Sequence, residues 1–266
     1  QPERAGTFGF GKYRVEAYQD TVELKGIAWR RLDFSGALLE HLRFSGCDID
    51  DCVFDNAKCE DWRLWRCVVS DCSFAGANLR SSALGPAPKG HQNIYRRVNF
   101  TRTNLLNSSY LSAVLDNCLF QNAKLRKVHF GGSVFTDCQF IGLLYEVEFY
   151  RTAFNCPQCP PNEMLRVDFS RAQLRWVEFR GLDLDSVRFP EDDAHIIITP
   201  YVERLERVLA AVRSRSDPNG RLLTALFENM RKWTGPNQRR GMLNKFDLVE
   251  AVGEEETQRL LPLLVG

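Results

Sequence analysis

The chain has 266 residues, 44% hydrophobic and 26% charged, with a formal net charge of +1. That balance excludes wholesale disorder and argues against a general polyanion binder, while the length suits one elongated body with a smaller appendage. No run approaches the ~20 consecutive apolar residues of a membrane helix, and no basic, apolar, small-residue leader precedes the first regular pattern, so a soluble, cytoplasmic protein is expected.

The chain opens at Gln1 without an initiator Met, as a trimmed or excised piece would. Residues 1–19 read as a lead-in: Tyr13, Val15 and Ala17 alternate between Phe8 and Tyr18, the pattern of a strand covering the first repeats. The glycine-rich Gly6 to Lys12 lacks the strand-before, helix-after context of a phosphate loop.

From Leu24 a large apolar residue recurs every fifth position, through Trp29, Phe34, Leu39, Phe44, Ile49, Phe54, Cys59, Leu64, Val69, Phe74 and Leu79 to Leu84. Two residues before each lies a smaller, mostly apolar one, such as Ala37, Leu42, Cys47, Cys52, Ala57, Cys67, Cys72 and Ala77. A period of five fits neither the 3.6 of a helix nor simple alternation, but residues two apart share one face of extended backbone. Each unit is therefore a short strand followed by a turn, with polar residues such as Asp33, Asp48, Asn78, Asn99 and Asp168 at corners facing water. Phe34, Phe54 and Phe74 also recur at twenty residues, so four units make one coil.

Gly85 to Gln92 interrupts the run with two prolines and two glycines, the composition of a loop projecting from one corner. The period resumes at Tyr95 and continues through Phe100, Leu105, Tyr110, Leu115, Phe120, Leu125, Phe130 and Phe135 to Phe140. Between Phe140 and Phe149 one unit is a residue short, which predicts a bulge or bend, with Leu144 inward and Phe154 following on the new register. Asn155 to Asn162 is proline-rich: the five-residue count would admit Cys159 and Met164 as inward residues, but prolines at 157, 160 and 161 remove strand donors and favour a loop. The last units centre on Phe169, Leu174, Phe179, Leu184 and Phe189, and the repeats stop at Pro190.

This run resembles the pentapeptide-repeat family, whose repeats centre on Leu or Phe with a small residue two before. The likeness spans roughly residues 20–190. It implies an all-β solenoid, a right-handed quadrilateral β-helix with inward central residues, here about 35 Å long at ~4.8 Å per coil. Stacked coils support only their neighbours, so both ends need covers.

Beyond Thr199 the period becomes helical. Thr199 as cap, Pro200 in the first turn and the stripe Val202, Leu205, Val208, Leu209 and Val212 predict a helix from about 200 to 214. Asp217-Pro218 opens a second, ended by Gly235-Pro236, and Met242 to Leu264 suggests two shorter ones. Residues 191–266 thus form a small α-helical C-terminal domain. In the gyrase-protecting branch of the family such helices mediate dimers, which extends to this chain as a homodimer through its own.

Nothing in the sequence reads as a catalytic apparatus, and no cofactor or metal is implied. The four histidines are scattered, and HExxH, GxSxG and Walker sequences are absent. Cys156 and Cys159 have the spacing of half a zinc site without the other half. The remaining cysteines fall in inward columns, where pairs twenty apart stack at ~4.8 Å against the ~3.8 Å between Cβ atoms of a disulfide, so reduced thiols are expected.

Charge supplies the candidate interaction surface. Asp33 to Asp71 holds nine acids against four bases, among them Asp48, Asp50, Asp51, Asp55 and Asp61. Arg80 to Lys127 reverses the sign, with Lys89, Arg96, Arg97, Arg102, Lys124, Arg126 and Lys127 among its bases. The leading reading is a non-catalytic scaffold for a protein partner. The alternative, implied by the family resemblance, is a DNA-mimic modulator of gyrase or a related topoisomerase, which only the acidic stretch could serve. Direct nucleic-acid binding ranks last, because the bases are not interleaved with exposed aromatics.

Overall fold

A computed structural model describes Phe8–Gly9 and residues 22–85, 90–154, 156–235 and 238–265. The centre of the 85–92 loop and, beyond Phe8–Gly9, the lead-in lie outside the described residues.

Two apolar residues spaced two apart cannot both be buried by a lone three-residue strand, and the fold solves this by stacking such strands in parallel. One ladder runs Ala28, Asp48, Val68, Ile94, Val114, Val134. A second runs Glu23, Arg43, Arg63, Ala83, Ser109, His129, Glu148, Glu178. A third joins Asp33, Val53, Ser73, Asn99, Leu119, Gln139 and Asp168, and a fourth Leu38, Lys58, Asn78, Asn104 and Lys124. The chain is therefore a β-helix solenoid, each regular coil contributing one rung to each ladder.

The inward residues form continuous axial columns. Phe34, Phe54, Phe74, Phe100, Phe120, Phe140, Phe169 and Phe189 stack nearly parallel, with centroids 4.7 to 6.2 Å apart. Tyr110, Phe130, Phe149 and Phe179 stack likewise. At the first described coil Leu24 and Trp29 are only partly buried, and Phe8–Gly9 of the lead-in pairs in parallel with Leu32–Asp33.

Corners are closed by a residue with positive φ two places after the inward one. After Phe54 it is Asn56, at φ 58°, and the Ala57 amide returns to the Phe54 carbonyl at 3.0 Å. Asn, Asp and Gly suit this conformation, but Arg31, Arg66, Lys127 and Trp176 adopt it too. A left-handed non-glycine residue costs about 1 kcal/mol, which the burial of two apolar side chains per unit offsets.

Insertions leave this lattice intact. From Val68 to Ile94 the ladder step is 26 residues rather than 20, and the columns continue undisturbed on both sides of the 85–92 loop. The short unit after Phe140 is absorbed by straightening a corner: Gln139–Tyr145 forms one long strand, paired with Asp168–Arg175 across a register slip. Phe154 does not follow on the new register. It is 67% exposed, and Met164 fills the column above Phe135, because Thr136 pairs with Leu165 and the proline-rich segment is extruded as a loop. Asn162 anchors that loop, its Oδ1 accepting from the amides of Phe135 and Met164. Cys159 is likewise no column residue: it is joined to Cys156 by a disulfide.

After Phe189 the chain crosses the last coil. His195–Ile198 pairs antiparallel with Gly241–Asn244, a strand in the segment expected to be wholly helical. Ile197 and Met242 pack on the core of the rod and Ile196, Ile198 and Leu243 on that of the helices, and Gly241 lies so close to the Tyr201 ring that a Cβ would stand 2.0 Å from it. The strand pair seals the rod: His195 Nε2 accepts from the Leu174 amide at 3.0 Å, and Asn244 Nδ2 donates to the Leu174 carbonyl at 2.8 Å. His195 Nδ1 stands 2.8 Å from the Asp192 carboxylate, which fixes the tautomer with its proton on Nδ1.

Four helices follow among the described residues: α1 (Tyr201–Val212), α2 (Pro218–Lys232), α3 (Lys245–Val252) and α4 (Glu254–Val265). Asp217 caps α2 by accepting from the Gly220 amide. Thr199 does not cap α1, whose N-cap is Pro200 without a side-chain bond. Leu205, Leu209, Leu223, Phe227, Leu248 and Leu260 form a core distinct from that of the rod.

Two substitutions test this account by denaturant unfolding. Phe100→Ala interrupts the longest column and should cost about 3–5 kcal/mol, whereas Phe154→Ala should stay within about 0.5 kcal/mol. His195→Ala strands the buried Leu174 amide and should cost about 1–3 kcal/mol; an unchanged midpoint would remove the sealing role.

Candidate interaction surface

The acids nominated by the sequence are not gathered into a free negative face. Because ladder positions twenty apart stand one above the next, acids of one coil meet bases of another. Asp48 pairs with Arg30 at 2.5 Å, and Asp50 lies 3.7 Å from the same guanidinium. Asp51 occupies a corner at φ 51°. Asp55 serves the next coil, accepting from the Ser73 hydroxyl at 2.5 Å and the Ala75 amide at 3.0 Å.

Asp61 is a hub for Arg43 at 2.8 Å, Arg63 at 2.6 Å and His41 Nδ1 at 3.1 Å. Burial raises its carboxyl pKa, but the hydrogen bonds from Arg43 and His41 and the charge of Arg63 outweigh burial and hold it below the ordinary carboxylate value.

The bases divide in the same way. Arg97 grips Asp71 with two hydrogen bonds of 2.5 and 2.6 Å. Lys127 and Arg126 flank Glu146 at 3.8 and 3.6 Å. Arg96, Arg102 and Lys124 form no ion pair with a described residue, and Lys89 lies outside the described residues.

Of the nominated residues, Lys124 and Arg126 are brought together with apolar neighbours. They share a shallow depression with Leu106, Leu125, Leu143 and Tyr145, and the Arg126 guanidinium lies 5.2 Å from the Tyr145 ring centre. Leu143 is 48% exposed there.

Tyr145 also belongs to a more enclosed cleft, of about 520 Å³, where the last coils meet the helices. One wall is the rod face, Glu146, Glu148 and Trp176 to Arg180; another is α2 with its C-cap, through Leu226, Met230 and Trp233; the third is Met242 to Asn244 with Asp247 and Glu250 of α3. Two ion clusters line it. Arg180 lies against Glu178 at 2.6 Å and Glu148 at 3.4 Å. Arg175 bonds Asp247 and, at 2.7 Å, Glu250, and the Trp176 amide donates to Asp247 at 2.6 Å. Burial lifts the Asp247 carboxyl above its usual value against the pull of Arg175, while burial and the bond to Glu148 push the Tyr150 hydroxyl up to about 12.

At the edge of the cleft the Arg180 guanidinium lies 4.8 Å from the Tyr150 ring centre and 5.0 Å from that of Trp233. Phe154 packs edge-on against both rings, leaving most of its own ring in water. Trp176, Trp233 and Phe154 escape the sequence reading because they look like a repeat corner, a helix end and a column residue. The usable signal is Trp176 itself, an indole at a corner where Asn, Asp or Gly is ordinary.

Among the described residues no cluster of His, Cys, Asp and Glu is arranged to hold a metal ion. The seven free cysteines are buried. Burial raises the Cys59 and Cys138 thiols well above the usual range and Cys67 to about 11, so none of these three is a reactive thiolate at neutral pH.

A family model described as pentapeptide repeats (8 copies) matches residues 113–143. Among solved structures, HetL, a pentapeptide repeat protein involved in heterocyst differentiation regulation from the cyanobacterium Nostoc, is similar at 15% identity over 64% of this chain and 84% of that one, with a TM-score of 0.23. QnrB1, a plasmid-mediated fluoroquinolone resistance protein, matches at 18% identity over 65% and 88%, with a TM-score of 0.25. Rfr23, a pentapeptide repeat protein from the cyanobacterium Cyanothece, matches at 11% over 64% and 88%, with a TM-score of 0.18. Superpositions this loose carry no weight for what this chain does. No curated protein matches in sequence.

Asp61→Asn tests the charge lattice. The substitution should destabilise by on the order of 1–2 kcal/mol at pH 7. A lowered folded-state pKa stabilises above the unfolded value near 4 and loses that contribution as pH falls through the folded value, so the two proteins should converge on acidification. Urea unfolding at pH 7 and at about pH 3 measures the difference; a gap that persists in acid would assign the loss to packing instead of charge.

Proposed function

We propose that the chain, whose residues 113–143 match the pentapeptide-repeat model, is a non-catalytic scaffold, cytoplasmic, which binds a protein partner along the flank where the rod meets its helices. The rod over residues 20–190 is the rigid presenter, right-handed and four-sided. Parallel crossovers take that hand in nearly all cases, and each regular coil feeds four ladders. Residues 191–266 seal it and supply the second wall of the binding flank. They also offer Leu222, Phe246 and Val265 to solvent, through which two copies would pair.

The observation that carries this reading is the continuity of that flank. Leu143 and Tyr145 lead from the Lys124 and Arg126 depression into the cleft, and Tyr150, Phe154 and Trp233 border its edge. Interfaces are enriched in aromatic residues and Arg, and exposed apolar groups on a rigid support are what a partner desolvates. The filled columns of the rod leave no room for a substrate among them.

The topoisomerase reading has less support. A duplex mimic needs acids standing free like phosphates, and here Asp48, Asp61 and Asp71 are each held by arginine. A supercoiling assay with gyrase, with and without quinolone, is expected to show no effect of the chain; protection would replace the scaffold reading.

The scaffold reading is tested by affinity capture with Leu143→Asp combined with Phe154→Ala. The double variant should keep its unfolding midpoint and lose capture of the wild-type partner at least tenfold. Undiminished capture would place the interface elsewhere, and a chain that captures nothing while turning over a substrate would end the reading.

A further inference from the structure

The scaffold reading leaves open what the cleft between rod and helices recognises. We propose that it receives the cationic end of an arginine or lysine side chain, presented by an extended, otherwise apolar segment of the protein partner.

Three independent features of the cleft select that group. The first is an excess of carboxylate on two walls. Glu148 and Glu178 of the rod share Arg180, and Asp247 and Glu250 of α3 share Arg175, so each cluster keeps one negative charge unbalanced. The second is a missing donor. Glu146 lines the same cleft, and its Oε2 is buried without a hydrogen-bond partner; Arg126 and Lys127 stand at 3.6 and 3.8 Å, outside bonding range. An entering ammonium or guanidinium supplies that donor together with a positive charge, whereas an anion supplies neither and a neutral group only the donor.

The third feature is the aromatic lining. Arg180 already demonstrates how rings at the edge of the cleft hold a guanidinium, lying over both Tyr150 and Trp233. Deeper in, Phe179, Leu226 and Met230 are apolar and suit the methylene stem that such a side chain buries behind its charge. A volume of about 520 Å³ is that of a site for a side chain and its immediate neighbours. A peptide is favoured over a free amine because the cleft shares Tyr145 with the depression at Leu143, giving the flanking residues of a segment an apolar track.

The test titrates the full chain with an acetylated, amidated Leu-Arg-Leu peptide, with its citrulline counterpart, and with butylguanidine, read by fluorescence of Trp176 and Trp233. The arginine peptide should bind at least tenfold more tightly than either comparison ligand. Glu178→Gln combined with Glu250→Gln should remove that preference. Leu226→Trp, which fills the cleft and leaves every carboxylate in place, should abolish binding even if the charge variant is too unstable to titrate.

Equal binding of arginine and citrulline peptides, binding unaltered in Leu226→Trp, or no binding by the arginine peptide would overturn the proposal. Butylguanidine binding as tightly as the peptide would overturn its assignment to a protein segment. The scaffold reading answers to a different measurement: a partner captured through Leu143 and Phe154 while the peptides fail sinks this inference alone.

Discussion

The structure depends on one constraint, that each aromatic ring must lie flat on the ring one coil below. Rings stacked near the spacing of β-strands fill the interior, and strand hydrogen bonds and ring contacts then favour a common axial rise. The Phe34 to Phe189 column meets both demands at once through inserted loops and a straightened corner. It also explains why the corners tolerate left-handed arginine, lysine and tryptophan. The lattice dictates where the chain turns, and the residue at the turn complies.

This is why the rod was legible from the sequence. A side chain facing the axis is repeated at a fixed count, and the count survives as long as the ring column does. The column breaks at Phe154: fifteen residues separate it from Phe169, a count that fits three intact units, while the prolines at 157, 160 and 161 favour the loop that the structure holds. Counting cannot distinguish an unbroken register from a ten-residue extrusion that restores it, and the three prolines beside Cys156 and Cys159 were the better guide. The strand pair His195–Ile198 with Gly241–Asn244 was hidden for another reason: its residues are separated by two helices, and each faces two cores, so neither alternates cleanly.

The candidate surface was less legible than the fold. Charge runs are a property of the order of residues, but in a solenoid the electrostatic neighbours are those one coil away. Asp61 sits with Arg43 and Arg63, and Asp71 with Arg97, so the apparent segregation is largely cancelled between coils. What remains unbalanced lies where the lattice stops, at the cleft built jointly by Glu148, Glu178, Asp247 and Glu250. Those residues come from three separate elements, and no spacing rule links them.

The pairing of His195 and Asn244 with Leu174 has a meaning beyond the single molecule. A solenoid whose terminal rung stays unsatisfied offers its backbone to the opening rung of the next, and head-to-tail addition of that kind has no natural limit. Two polar side chains, placed over one residue of the last coil, take the backbone groups of Leu174 out of reach of such an addition.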